Sequence, residues 1–376
     1  MKRLKVLQVN KLYYPEMGGV ESVVQNIAEG LQNDIDMQVL VCQKKGKKVR
    51  EIVNGVPVYR AHSFGTLFSM PISLDFLFQL RKLSKDMDII HFHMPFPLGD
   101  IGYLLSGYKG KVVVLWHSDV VKQKRFMKIY KPIMNCFLKK VDIIIVGAQG
   151  IIDGSHYLQP YRDKCKVIPL AIREEMWQDG ELYLKQRMRG TVEHDEKKER
   201  VNFLFVGRLV YYKGCDVLLR ALQRVERGYL TIVGTGDLEE ELRQMAQDLE
   251  IEGRVCFAGP VPDDELKRYF RETDVFVLPS VKRSEAFGLV QLEAMAYGKP
   301  VINTNLPSGV PDVSLHGITG LTVEAGDAGA MADAMNWLIA HPKEMEMYGK
   351  AAKKRVDEVF KLDKILPQIY EVYKSV

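Results

Sequence analysis

The chain has 376 residues, 47% of them hydrophobic and 27% charged, which excludes a disordered tail, a collagen and a disulfide mini-scaffold. Lys and Arg number 53 against 48 Asp and Glu, a net charge of +5 that is too small to argue for a nucleic-acid partner. At about 100–200 residues per domain, the length suits two domains.

The opening Met1-Lys2-Arg3-Leu4-Lys5 leads straight into a strand pattern, without the apolar stretch and small-residue cleavage site of a signal peptide. No apolar run approaches the roughly 18 residues of a membrane span. Cys42, Cys136, Cys165, Cys215 and Cys256 are scattered and form no C-x-x-C pair, as suits reduced thiols in a cytosolic protein.

In chain order, residues 5–10 read as a strand. A Gly18-Gly19 turn follows, then an amphipathic helix with Val20, Val23, Val24, Ile27, Ala28 and Leu31 on one face. Further strands are predicted over 37–42, 56–60, 89–92, 112–116, 143–146 and 166–168. A charged stretch with little apolar period occupies 173–200, and the pattern then restarts with strands over 203–207, 229–233, 255–258, 275–278 and 300–303. Strands separated by helix-length segments predict mostly parallel sheets covered on both faces. The fold class is therefore α/β, with two doubly wound domains over 1–170 and 171–361 and a last helix, about 362–376, able to pack on either. Ligands of such sheets bind beyond the carboxyl ends of the strands, where helix starts attract anions.

Ser284-Glu285-Ala-Phe-Gly-Leu-Val-Gln-Leu-Glu293 carries two glutamates in an E-x7-E pattern. A helix starting near Phe287 puts Glu285 in the preceding loop and Glu293 about two turns along. The N–H groups of Phe287, Gly288, Leu289 and Val290 would then point at a ligand, and Gly288 would let backbone approach it closely. Carboxylates there suit sugar hydroxyls and amides suit phosphate; a capping glutamate and a surface glutamate are the plain alternative. Arg208 and Lys213 follow a strand end, where two cations suit a diphosphate or are solvated charge.

Gly18-Gly19 is a tight βα turn or a close approach to phosphate or sugar. It is not G-x-G-x-x-G, which speaks against an NAD-dependent oxidoreductase. Gly234-Thr-Gly236 lacks the third glycine as well. His117 lies just past a strand, with Asp119 in the same loop, while His91 and His93 alternate on another strand and point the same way. No third metal ligand is evident beside them, and no Asp-x-Asp ends a strand; Asp195-Glu196 and Asp263-Asp264 read as solvated loop residues. Segment 120–140 carries seven Lys/Arg and no Asp/Glu. Phe126, Ile129, Tyr130, Ile133, Phe137 and Leu138 recur at helical spacing, with Pro132 as a kink or helix start. Such a helix either meets an anionic membrane surface or packs in the core with a solvated basic face.

The E-x7-E block, Gly18-Gly19-Val20-Glu21, Phe205-Val-Gly-Arg-Leu209 with Lys213-Gly214, and Gly317-Ile-Thr-Gly320-Leu-Thr-Val together resemble the retaining glycosyltransferases of family 4. The resemblance covers nearly the whole chain. It implies the GT-B fold: two Rossmann-like domains facing across a cleft, with 1–170 on the acceptor side and 171–361 holding a nucleotide-diphosphate sugar. It implies that Arg208 and Lys213 neutralise the departing diphosphate in place of a metal, so that no cofactor is required. It implies that His117 contacts the donor sugar near its C6 hydroxyl, that Gly18 or Gly19 borders the phosphates, that Gly234 lies beside the nucleotide and that Val261 meets the base through its backbone. Glu285 is expected on the transferred sugar and Glu293 on the ribose.

GDP-mannose is the expected donor, ahead of a UDP- or dTDP-sugar. The expected acceptor is a lipid-linked glycan of surface polysaccharide, lipopolysaccharide or glycolipid assembly. The enzyme is expected in the cytoplasm, peripheral on the inner membrane face. A nucleotide-sugar epimerase or a non-catalytic binder of the same fold is the alternative. One departure from the family pattern stands out: Pro169-Leu-Ala171-Ile-Arg173 replaces the usual Pro-Asn-Gly-Val-Asp, placing hinge geometry near the domain junction in question.

Overall fold

The computed structural model describes residues 3–16, 18–67, 70–120, 124–190 and 200–376, with backbone alone for 124–126. The chain divides into two compact units, Met1–Ala171 with Leu362–Val376, and Ile172–Lys361.

The first unit holds strands β1 (Lys5–Val9), β2 (Asp36–Cys42), β3 (Val49–Val53), β4 (Val56–Ala61), β5 (Thr66–Leu67), β6 (Met70–Pro71), β7 (Ile89–Met94), β8 (Lys111–Trp116), β9 (Ile143–Val146) and β10 (Cys165–Val167). Eight of them form one sheet in the order β10-β9-β8-β7-β1-β2-β4-β3, parallel throughout except β3 against β4. β7 and β8 are almost wholly buried, as strands covered on both faces must be. The helix Gly19–Leu31 buries Val23, Val24, Ile27, Ala28 and Leu31. The helix Leu362–Ser375 returns to this unit: its Leu366 lies so close to Gly30 that a Cβ there would sit 2.4 Å from Leu366 Cδ1.

β3 is an addition to the predicted strands. Its signal is Asn54-Gly55, whose φ values of 49° and 88° form the tight hairpin turn into β4. Its residues are half exposed, so they lack the apolar run that marks the central strands.

The second unit holds β11 (Val201–Val206), β12 (Gly228–Val233), β13 (Val255–Gly259), β14 (Val275–Val277), β15 (Val301–Asn305) and β16 (Gly320–Glu324) in one parallel sheet, β13-β12-β11-β14-β15-β16. Phe203, Phe205, Leu218, Leu222, Ile232 and Met335 sit fully buried at its core. The charged stretch from 173 is not a linker: Glu174–Met188 is a helix, held by Met176, Gly180 and Tyr183 on its buried side. Gly180 is why it docks so closely, because a Cβ there would lie 2.6 Å from the Ala296 carbonyl oxygen. Residues 191–199, with Asp195-Glu196, lie outside the described residues.

In both sheets the chain order reverses beside a central strand, between β1 and β7 in the first unit and between β11 and β14 in the second. Strand connections diverge there to opposite faces and leave a crevice past the carboxyl ends, which is where α/β sheets take ligands.

Candidate active site

In the second unit, the crevice is built from the turn after β11 and the loop after β14. Gly214, at φ 69°, brings the two together: a Cβ there would lie 2.1 Å from the Pro279 carbonyl oxygen. That contact puts Lys213 Nζ 2.5 Å from Glu285 Oε2, and Ser280 Oγ donates to the same oxygen at 3.1 Å. Both charged side chains are 11% exposed. Removing either partner of a pair this deep would leave the other desolvated and alone. Arg208 differs, staying exposed and donating from Nη2 to the Tyr212 hydroxyl at 3.0 Å. Of these two cations, Lys213 is engaged and Arg208 is exposed.

Gly234, after β12, has φ 124°, and a Cβ there would lie 2.0 Å from the Gly207 carbonyl oxygen. Only glycine lets these two strand-end turns touch. Gly234 N–H donates to the Gly259 carbonyl at 2.8 Å, which sets Val261, half-buried, on the neighbouring turn.

The helix of the E-x7-E block starts later than predicted. It spans Val290–Ala296, because Gly288 adopts a left-handed φ of 72° and breaks any helix through it. Glu293 therefore stands in the first turn, not two turns along. None of the Phe287, Gly288, Leu289 and Val290 amides donates a hydrogen bond among the described residues. Phe287 is buried, its ring edge-on to Phe360.

Glu293 accepts from Arg173 Nε at 2.8 Å, and Arg173 Nη1 donates to both oxygens of Asp263 at 3.1 and 3.0 Å. Asp263 is solvated, its side chain 60% exposed, but it is not a loop residue: it opens the helix Asp263–Glu272 and is held by a guanidinium. Burial opposes the Arg173 charge, but Glu293 and Asp263 together outweigh it and raise its pKa. Burial pushes the Glu293 carboxyl up, against the pull of Arg173. In the sequence, Arg173 stands only as a departure from the family pattern near the junction. Its role as Glu293's partner is set across 120 positions of sequence, where no local pattern signals it.

In the first unit, Gly18 precedes the helix Gly19–Leu31 after β1, and a Cβ at Gly18 would lie 2.4 Å from Glu21 Oε2. Lys11, just past β1, has its pKa lowered by burial, with the Glu21 charge working the other way. His117 follows β8 and is 9% exposed. Its Nε2 lies 2.9 Å from His93 Nδ1, whose Nε2 in turn lies 2.8 Å from Gln8 Oε1. His91 stacks on His93 with ring centroids 4.7 Å apart, and its Nδ1 is 2.6 Å from the Tyr373 hydroxyl. Burial drives His91 and His117 down to about 3 and His93 well below its ordinary value, so all three rings are neutral at pH 7. Asp119 Oδ1 accepts from Trp116 Nε1 at 3.1 Å and from Ser155 Oγ at 2.7 Å, which ties down the loop after His117.

Arg208, Lys213, Glu285, Gly288, Glu293, Gly234 and Val261 thus lie in the second unit, and Gly18, Gly19 and His117 in the first. Ser280, Gln8 and Tyr373 carry no signal in the sequence alone. Among the described residues no group of three or more His, Cys, Asp or Glu side chains is placed to hold a metal ion.

The family described as Glycosyltransferase Family 4 matches residues 17–175, and that described as Glycosyl transferases group 1 matches 189–355. The chain belongs to the family 4 glycosyltransferases and is an enzyme of the GT-B fold class, with two Rossmann-like domains. It is 34% identical over 359 residues to the D-rhamnosyltransferase WbpZ of Pseudomonas aeruginosa, covering 95% of this chain and 92% of that one. It is 32% identical over 384 residues to the O-antigen chain mannosyltransferase C of Escherichia coli, covering 99% and 98%. Among solved structures, HepE of Anabaena in complex with UDP superposes with a TM-score of 0.77 at 19% identity, covering 99% of this chain and 100% of that one.

Proposed function

We propose that this glycosyltransferase moves mannose from GDP-mannose to a hydroxyl of a lipid-linked glycan in surface polysaccharide or glycolipid assembly, with retention of anomeric configuration. The observation that carries the reading is the second unit's crevice, where Arg208 is exposed beside the Lys213–Glu285 pair at 2.5 Å. The mannosyl and D-rhamnosyl specificities in the relatives' names support a mannose-type donor. In this reading the second unit binds the donor and the first supplies the acceptor side. Arg208, Lys213 and the Phe287–Val290 amides stabilise the leaving diphosphate, the main catalytic contribution. Glu285 holds the transferred sugar, Glu293 the ribose, and His117 the sugar near C6. Gly18 or Gly19 borders the phosphates, with Gly234 and Val261 beside the nucleotide. The acceptor hydroxyl attacks the anomeric carbon on the face the diphosphate leaves, and a leaving-group phosphate oxygen takes the proton.

The test is transfer and hydrolysis across GDP-mannose, its 6-deoxy counterpart, and UDP- and dTDP-sugars. GDP-mannose is expected to turn over fastest. Binding of a sugar nucleotide with no transfer to any acceptor would favour an epimerase or a binder instead. Because side-chain cations stand in for a metal, turnover is expected to survive EDTA. Loss on chelation, restored by Mg²⁺, would overturn the roles given to Arg208 and Lys213.

We also propose that the helix Lys124–Lys140 meets anionic lipid through its basic face alone. Tyr130, Met134, Phe137 and Leu138 are buried, whereas Lys128, Lys131 and a 76% exposed Ile129 face outward. Residues 121–123 and the side chains of Lys124, Arg125 and Phe126 lie outside the described residues. No helix among the described residues is long and apolar enough to cross a membrane. Co-sedimentation with phosphatidylglycerol vesicles is expected, weakened by high salt and by neutralising Lys124, Arg125 and Lys128. Equal recovery with neutral vesicles would leave the helix a purely structural element.

A further inference from the structure

The row of buried rings in the first unit has a definite proton order. Each of His93 and His117 is neutral, so each carries one N–H and one lone pair. Gln8 Oε1 can only accept, so the 2.8 Å contact places the His93 proton on Nε2. His93 Nδ1 is then a lone pair, and the 2.9 Å contact places the His117 proton on Nε2. The remaining atom, His117 Nδ1, is an acceptor, and it makes no hydrogen bond among the described residues. The direction of the whole chain rests on which way the Gln8 amide points. Its Nε2 faces Met37 Sδ at 3.6 Å, a weak acceptor that suits N–H. All three residues are buried, and Gln8 and His93 lie on the neighbouring strands β1 and β7, so the order is built into the sheet.

We propose that Gln8 and His93 are positioning residues that hold His117 as the Nε2–H tautomer, so that its Nδ1 lone pair receives a hydroxyl of the transferred sugar. The inference rests on the donor reading above for the identity of that hydroxyl, and on geometry alone for the tautomer. It makes His117 a selector: a donor bearing the hydroxyl gives Nδ1 a partner, and its 6-deoxy counterpart leaves it bare. A site built to bond a hydroxyl rejects the analogue lacking it, because the site's own polar atom stays unpaired.

The test is long-range ¹H–¹⁵N correlation NMR on protein labelled at histidine, with His117 assigned by its loss in His117→Gln. The expected spectrum shows His117 protonated at Nε2 only, unchanged between pH 6 and 8. A wild-type His117 protonated at Nδ1 would overturn the proposal outright, with no variant needed. Gln8→Met keeps the volume and removes the acceptor, so both tautomers are expected to appear. In that variant kcat with the hydroxyl-bearing donor is expected to fall about tenfold, with affinity for the nucleotide diphosphate unchanged. Mixed tautomers with an unchanged kcat would sink the functional half of the idea. A protein that turns over no sugar nucleotide would overturn the donor reading, and with it the selector role. The wild-type spectrum would still decide the proton order by itself.

Discussion

Arg208→Ala is expected to lower kcat by about a hundredfold or more, the usual cost of losing one donor aimed at developing charge. The guanidinium is exposed, bonds the Tyr212 hydroxyl and forms no ion pair among the described residues, so the proposed diphosphate contact would cost it none. Its contribution should grow as negative charge collects on the leaving group, so kcat and kcat/KM should fall together. Stability should move by less than about 0.5 kcal/mol, as for most exposed side chains. Arg208→Lys keeps the charge but loses the planar fork, and should fall between the two. Steady-state kinetics with parallel thermal melts check all of this. A raised donor KM at unchanged kcat would assign Arg208 to ground-state binding only.

Glu285→Gln should show two effects of different origin. On the reaction, loss of the carboxylate proposed to hold the transferred sugar should cut kcat. On binding, the same change frees Lys213, because Glu285 Oε2 now occupies it at 2.5 Å. Affinity for the nucleotide diphosphate should therefore hold or rise while turnover falls. On the fold, leaving a buried ammonium without its partner should cost about 3 kcal/mol, the low end for broken buried pairs. At roughly 2–4 °C per kcal/mol for a unit of this size, that is a melting shift of roughly 6–12 °C. The double variant Lys213→Met, Glu285→Gln removes both charges and should recover much of that stability without recovering turnover. Full activity in Glu285→Gln would reduce the glutamate to a structural partner of Lys213.

The central strands were legible in the sequence because burial on both faces leaves continuous apolar runs, as in 112–116 and 143–146. The helix Glu174–Met188 was not, because three small or distant contacts, through Met176, Gly180 and Tyr183, hold it instead of a broad apolar stripe. At the candidate site, cations and glutamates near strand ends could be picked out by chemical type. Which of them pair could not. The Lys213–Glu285 contact depends on Gly214 passing the Pro279 carbonyl, and the Arg173–Glu293 contact joins the start of one helix to the first turn of another. Gln8 gave no signal because a buried glutamine in a strand looks like any pattern defect until its partner, 85 positions away, is known.

The return of the helix Leu362–Ser375 to the first unit sets the order in which the molecule can be completed as it is made. Leu362, Ile365, Leu366 and Ile369 line the same apolar contact as Val23 and Ile27 of the helix Gly19–Leu31. Those later residues leave the ribosome only after all of Ile172–Lys361 has been synthesised. At roughly 5–20 residues per second, the interval is roughly 10–40 s. Throughout it the nascent first unit carries an uncovered apolar stripe, and the Tyr373 hydroxyl is missing from His91. Translation speed across the second unit, rather than any property of the first, sets how long that stripe stays open to chaperones and to other nascent chains.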